Sequence, residues 1–311
     1  MPQPRKQLIS LSDTPYYHCV SRCVRRAFLC GSDAVTGQSY EHRRQWVENR
    51  LRLLSSIFAI EICSYAIMSN HYHLVVRLNT TEHCSDQEVL DRWLTLHKGP
   101  LLIQRYRNGA ALIQAEKNTV GDIISAWRKR LQDLSWFMKC LNEPIARRAN
   151  DEDNCTGHFW ESRFKSQALV TEEALLSCMA YVDLNPVRAK LSITPETADY
   201  TSLRERVRPR FNLAQAVKNQ HLAGDFRLAV HPLLPFDGIV KNSEQCGIPF
   251  SFGDYLQLLD WTGRTIRNDQ HGLIPQQLPP ILSRLNIPSH QCLTTSQHFE
   301  KVVHRRFRKV A

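Results

Sequence analysis

No stretch of this 311-residue chain approaches the ~20 consecutive apolar residues of a membrane-spanning helix. The start, Met1-Pro2-Gln3-Pro4-Arg5-Lys6, carries no apolar segment of the signal-peptide kind. The expectation is a cytoplasmic, nucleoid-associated protein with no membrane partner. Ten cysteines are present but no CxxC pair, and the nearest two, Cys19 and Cys23, are four apart. That spacing excludes a zinc-finger or disulfide framework and implies reduced, mostly buried thiols. There is no GxxxxGK[ST] loop, so nothing marks a nucleotide-driven reaction. Internal repeats and low-complexity tracts are also missing, and no acidic residue follows Glu300.

What is present is positive charge and enough apolar residues for a core. Hydrophobic residues make up 42%, which argues against disorder. Lys plus Arg number 40 against 30 Asp plus Glu, a net charge of +10. The excess is clustered. Arg128-Lys129-Arg130 is one group, Arg204, Arg206, Arg208 and Arg210 a second, and Lys301, Arg305, Arg306, Arg308 and Lys309 a third. Clustered cations without an amphipathic anchor point to nucleic acid rather than a membrane surface.

Hydrophobic spacing gives an order of elements. Tyr16 to Val24 reads as a strand, Tyr40 to Phe58 as an amphipathic helix, and Ala59 to Met68 and His71 to Leu78 as two strands, with Ser69-Asn70 a bend or part of one long strand. Asp86 to His97 and Thr119 to Leu141 read as helices and Phe159 to Val170 as a strand. A last helix opens at the cap Thr171 with Glu172 and Glu173 in its first turn. It runs toward Asn185, where Pro186 limits its continuation. This order predicts an α+β fold, a ferredoxin-like antiparallel sheet with helices on one face. Prolines punctuate residues 201–311, read as a basic, mostly helical C-terminal extension to a domain over residues 1–200.

The chemistry concentrates in two places. In Met68-Ser69-Asn70-His71-Tyr72-His73-Leu74 the strand period sends His71 and His73 to one face, about 7 Å apart along the strand, and Tyr72 to the other. Two imidazoles on one face can hold a divalent cation, or they are an ordinary satisfied pair. In Tyr181-Val182-Asp183-Leu184-Asn185-Pro186, Tyr181 and Asn185 share a helix face. Asn185 is then a third metal ligand and Tyr181 a nucleophile. Alternatively Tyr181 is a core aromatic and Asn185 a cap at the helix end. A phenol is ordinarily protonated at neutral pH and needs activation before it attacks.

Taken together, Tyr17-His18-Cys19-Val20-Ser21-Arg22, the His71–His73 segment, Arg163-Phe164-Lys165-Ser166 and Tyr181 to Ala189 resemble the single-tyrosine HUH transposases, in the branch of REP-associated tyrosine transposases. The resemblance spans roughly residues 15–190. It implies a ferredoxin-like core that cuts and rejoins single-stranded DNA near hairpins through a 5′-phosphotyrosine, with Mg²⁺ or Mn²⁺. Carried over by residue, it implies His71 and His73 as the metal pair, Asn185 as third ligand and Tyr181 as nucleophile. Arg22, Arg163, Lys165 and Arg188 lie in the matching segments as candidate DNA-binding residues, with a solvated or structural role as the alternative for each. Trp127, Trp136 and Trp160 are candidates for base stacking, with core packing favoured for Trp136. His18 is assigned to the core or to support of the metal pair.

Two features depart from the pattern. Tyr72 stands where many such sequences carry an aliphatic residue, and Asn79 to Lys117 is longer than a minimal core needs. A different class of function also fits the charge and fold: a hairpin-binding regulator that does not cleave. A water-using metallohydrolase would want further carboxylate or histidine ligands near the pair, and none stands in the nearby sequence. The sequence leaves monomer and homodimer equally open.

Overall fold

Alternation decides which way each strand faces. In β1 (Tyr16–Arg22), Tyr17 and Cys19 are buried while His18 and Val20 are only partly covered. In β3 (His71–Leu78), Tyr72, Leu74 and Val76 enter the same core as Tyr17 and Cys19. β2 (Ile60–Ile67) and β4 (Lys165–Ala168) complete a four-stranded antiparallel sheet in the order β2-β3-β1-β4. The computed structural model describes residues 9, 13–24, 29–33, 36–218, 220, 222–237, 247–265 and 272–286. The basic cluster from Lys301 to Lys309 lies outside the described residues, as does Pro288.

The sheet order and the strand–helix–strand–strand sequence match the expected ferredoxin-like α+β arrangement. Ser69 and Asn70 form a tight turn between β2 and β3, closed by the Met68 amide on the His71 carbonyl at 2.8 Å. One face of the sheet is covered by α1 (His42–Ile57), with α2 (Asp86–Leu96), α3 (Leu101–Arg107), α4 (Gln114–Leu131) and α5 (Leu134–Glu152) built around it. The long segment after Asn79 supplies α2 and α3, whose Val89, Leu90, Trp93 and Ile103 join this core. The helix expected over Thr119 to Leu141 is two helices. Asp133 breaks it by accepting the amides of Ser135 and Trp136 at 2.6 and 3.1 Å, as the N-cap of α5.

Helices are not confined to that face. α6 (Glu172–Arg188) lies on the opposite side, against β2 and β3, where Cys63, Ala66, Met68 and Val75 form a second core with Leu175, Met179, Val182 and Leu184. The segment after residue 200 completes this second core. α7 (Ser202–Val207) packs on β2, α9 (Phe252–Arg264) packs on α6, and α10 (Ile281–Arg284) packs on α9; the short α8 (Leu213–Lys218) sits on α1. Sequence alternation showed which residues leave the first core but not what meets them on the other side.

Two boundaries differ from the sequence reading. β4 covers four residues rather than the stretch Phe159 to Val170, because only Lys165 to Ala168 pairs with β1, while Trp160 makes an isolated bridge to Cys23. α6 continues through Pro186. The proline removes one helical hydrogen bond and crowds the preceding turn, a cost of about 3 kcal/mol. Leu184 and Val187 are buried on either side of it, and each such burial contributes roughly 1.5–3 kcal/mol, enough to offset that cost. All the described cysteines are free, and most are buried. No described helix is long and apolar enough to cross a membrane.

Candidate active site

The face of the sheet turned toward α6 carries the histidines, with His18 and His71 half-buried there and His73 buried. Register fixes their neighbours: Arg22 pairs with His71, Val20 with His73, and His18 with Gln167 of β4. Directly paired residues point to the same side, so His18, Val20 and Arg22 share the face of His71 and His73. The imidazole of His18 lies end-on to that of His73, with centroids 5.2 Å apart and planes 13° from parallel. His71 meets His73 edge-on at 4.8 Å.

With the Asn70 and Asn185 amides oriented as they stand, the hydrogen bonds around these rings assign one tautomer to His71 and one to His73. Asn70 Oδ1 lies 2.6 Å from His71 Nδ1. An amide oxygen only accepts, so His71 carries its proton on Nδ1 and a lone pair on Nε2. Asn185 Nδ2 lies 3.1 Å from His73 Nε2. That nitrogen donates, so His73 also presents a lone pair at Nε2 and keeps its proton on Nδ1, which faces His18 Nε2 at 3.0 Å. The two Nε2 atoms stand 3.1 Å apart, and in these tautomers each presents a lone pair. All three rings are neutral at pH 7. Burial lowers His18 to about 4; burial and then Arg22 lower His71 to about 4; burial and then His71, His18 and Arg22 lower His73 to about 3.

α6 brings the second half of the site. Thr171 caps it, accepting the Ala174 amide at 3.1 Å. Its inner face is buried through Leu176, Met179, Ala180 and Val182, which leaves Tyr181 and Asn185 toward the histidines. Tyr181 is 47% exposed. It is therefore no core aromatic, and its ring lies nearly perpendicular to those of His73 and His18, with centroids 5.4 and 6.3 Å away. Asn185 is no end cap either, since α6 runs on to Arg188. The rotation of α6 is set by a buried network: Asp183 accepts from Tyr255 Oη at 2.6 Å, Ser202 Oγ at 2.7 Å and the Leu203 amide at 3.3 Å.

The remaining candidates divide. Arg22 and Lys165 are exposed on the histidine face, and Arg163 is exposed in the bends before β4. Arg188 faces elsewhere: its guanidinium donates to the carbonyls of Thr262, Gly272 and Thr265 at 2.6, 3.2 and 3.4 Å. It anchors the C-terminal segment to α6 rather than standing ready for a phosphate. The tryptophans serve the first core, on the other side of the sheet. Trp127 stacks on Trp93, Trp136 is flanked by Arg130 and Lys139, and Trp160 donates to the Asn142 carbonyl at 2.9 Å. Tyr72, as expected, is buried with its hydroxyl at an edge, donating to Asn142 Oδ1 at 2.6 Å. Asn70 and Asp183 were not singled out from sequence. Asn70 had one signal, its place immediately before His71; Asp183 had none, because its partners come from distant segments.

Among the described residues, no group of three or more His, Cys, Asp or Glu side chains is placed to hold a metal ion. The set here is two imidazoles and an amide. Two donors at right angles on an octahedral cation, each about 2.1 Å from it, lie about 3.0 Å apart, close to the Nε2–Nε2 separation of 3.1 Å. In the tautomers assigned above no proton lies between these two nitrogens, and a cation beside them would satisfy both lone pairs. Turning the Asn185 amide over presents its oxygen in the same place. The residues therefore fit a divalent cation, held without a carboxylate.

No protein-family model matches the chain, and no curated protein matches it. Among solved structures, one of a REP-associated tyrosine transposase bound to a REP hairpin aligns with 76% of this chain and 100% of its own, at 12% identity and a TM-score of 0.40.

Proposed function

We propose that this chain is a metal-dependent, transposase-type endonuclease and strand transferase that cuts and rejoins single-stranded DNA near hairpins through a 5′-phosphotyrosine. One observation carries the reading. Exposed Tyr181 stands one helical turn from Asn185, whose amide meets His73 Nε2 at 3.1 Å beside the facing Nε2 of His71. A structural tyrosine has no need to be exposed above two imidazoles whose Nε2 atoms lie 3.1 Å apart.

A divalent cation, Mg²⁺ or Mn²⁺, held by His71, His73 and Asn185 would draw charge from a phosphate beside it. Tyr181 Oη attacks the phosphorus and gives up its proton to solvent. The bond from phosphorus to the 3′ oxygen breaks, and that oxygen leaves as a hydroxyl after taking a proton. The 5′ phosphate stays on Tyr181. Attack by a 3′ hydroxyl on the phosphotyrosine reverses the sequence and frees Tyr181, so no external energy source is consumed. Arg22 and Lys165, exposed on the same face, position the strand through its phosphates. A net charge of +10 favours such a polyanion and residence on nucleic acid.

The test is a hairpin-bearing single strand incubated with the protein in Mn²⁺ or in excess chelator. A denaturation-resistant adduct that forms only with Mn²⁺, and that His71→Ala and His73→Ala each abolish without loss of DNA binding, is the expected result. DNA binding with no adduct under any condition would replace this reading with a non-cleaving hairpin-binding regulator.

A further inference from the structure

His73 is gripped from both sides. Asn185 occupies its Nε2 side, and His18 occupies its Nδ1 side, at 3.0 Å with the ring planes 13° from parallel. His18 reaches this place from the neighbouring strand, diagonal to His73, because Val20 is the residue paired with His73. It cannot join His71, His73 and Asn185 around one cation, since its Nε2 contacts the far edge of the His73 ring. Its own neighbours are the ring of Tyr181 on one side and Gln167 across the β1–β4 pair.

We propose that His18 is a positioning residue that sets the affinity of the site for its divalent cation. By accepting the Nδ1 proton of His73, it holds that imidazole in the tautomer whose Nε2 lone pair faces His71. Because the two ring planes lie within 13° of parallel, that end-on bond also fixes the plane of the His73 ring. A ligating histidine is commonly oriented by a partner on its second nitrogen, and loss of such a partner typically weakens metal binding about 10–100-fold. A neutral imidazole in that role, in place of the usual carboxylate or carbonyl, adds no negative charge. The site then depends on ring orientation rather than on ligand charge. The inference rests on the metal reading of the site given above.

The test uses the full chain free of DNA, with Mn²⁺ binding followed by the loss of the free-ion EPR signal. His18→Phe keeps a flat ring but cannot accept a proton, and Mn²⁺ binding should weaken about 10–100-fold. His18→Gln keeps an oxygen acceptor and should recover a substantial part of the affinity. Nitrogen-15 NMR of the metal-free protein, with the His73 signals identified by their absence from His73→Ala, reads the tautomer independently. Wild type should carry the His73 proton on Nδ1, and His18→Phe should show a mixture. Equal Mn²⁺ affinity and an unchanged His73 tautomer in His18→Phe would overturn the role of His18 while leaving the metal site standing. If wild type takes up no Mn²⁺, the metal reading fails, and with it the proposal that His18 sets metal affinity.

Discussion

Tyr255 donates its hydroxyl to Oδ2 of Asp183 at 2.6 Å, and so ties α9 to the helix that carries Tyr181. Both side chains are fully enclosed, and burial pushes the Asp183 carboxyl above, and the Tyr255 phenol well above, their ordinary values. Asp183 lies midway between Tyr181 and Asn185 in sequence but on the opposite side of α6, toward the second core. Fixing it fixes the rotation that presents the other two to the histidines. Residues after 200 thus take part in shaping the site.

Tyr255→Phe should therefore do two things at once. It removes one donor from a buried carboxylate and should destabilise the protein by about 1–3 kcal/mol, measured by urea unfolding. It should also lower the yield of DNA adduct under conditions where the variant remains folded, because α6 is held by fewer contacts. Full adduct yield in a folded but destabilised variant would show that the network supports stability without orienting α6.

Arg188 and Lys165 should separate cleanly in a salt titration. Arg188 donates to three backbone carbonyls, whereas Lys165 is exposed on the histidine face. Each phosphate contact to a single strand contributes about 0.7 to the slope of log K against log salt. Lys165→Ala and Arg22→Ala should each reduce the slope by about that amount. Arg188→Ala should leave the slope alone and lower the unfolding midpoint. A reduced slope for Arg188→Ala with no stability change would place that residue on DNA.

Glu48 gives the fold a pH dependence remote from the site. It is buried in α1 and accepts from Tyr65 Oη at 2.8 Å, and burial raises its pKa above 4.5. A carboxyl with a raised folded pKa binds protons more readily when folded, so its ionisation costs stability. Its contribution is fully present below the unfolded value of 4.5 and is lost as pH rises through the raised folded value. Glu48→Gln keeps an oxygen for Tyr65 and removes the ionisation. It should gain stability relative to wild type between pH 4 and pH 7.5, measured by urea unfolding at both. A difference from wild type that is the same at both pH values would contradict this.

What the sequence revealed follows its periodicities. The two-residue strand period placed His71 and His73 on one face and Tyr72 on the other, and the helical period put Tyr181 and Asn185 together. The order of strands and helices was enough for the sheet. His18 required the β1–β3 register, which no single strand contains. The cover on the second sheet face, and the engagement of Arg188 with carbonyls some 75–85 residues away in sequence, depend on long-range packing. Pro186 shows the same limit from the other direction. Its local preference is to end a helix, and the burial around it overrides that preference.

The proposed chemistry turns on one oxygen, the phenol of Tyr181. The most direct measurement is peptide mapping of the protein–DNA adduct formed on a hairpin-bearing single strand in Mn²⁺, alongside Tyr181→Phe. That variant removes one atom from a half-exposed ring and should fold and bind DNA as wild type does. The expected result is DNA attached to the peptide containing Tyr181, with the variant forming neither adduct nor free 3′ hydroxyl. Attachment to Tyr106, the other tyrosine exposed among the described residues, or an undiminished adduct in Tyr181→Phe, would contradict it.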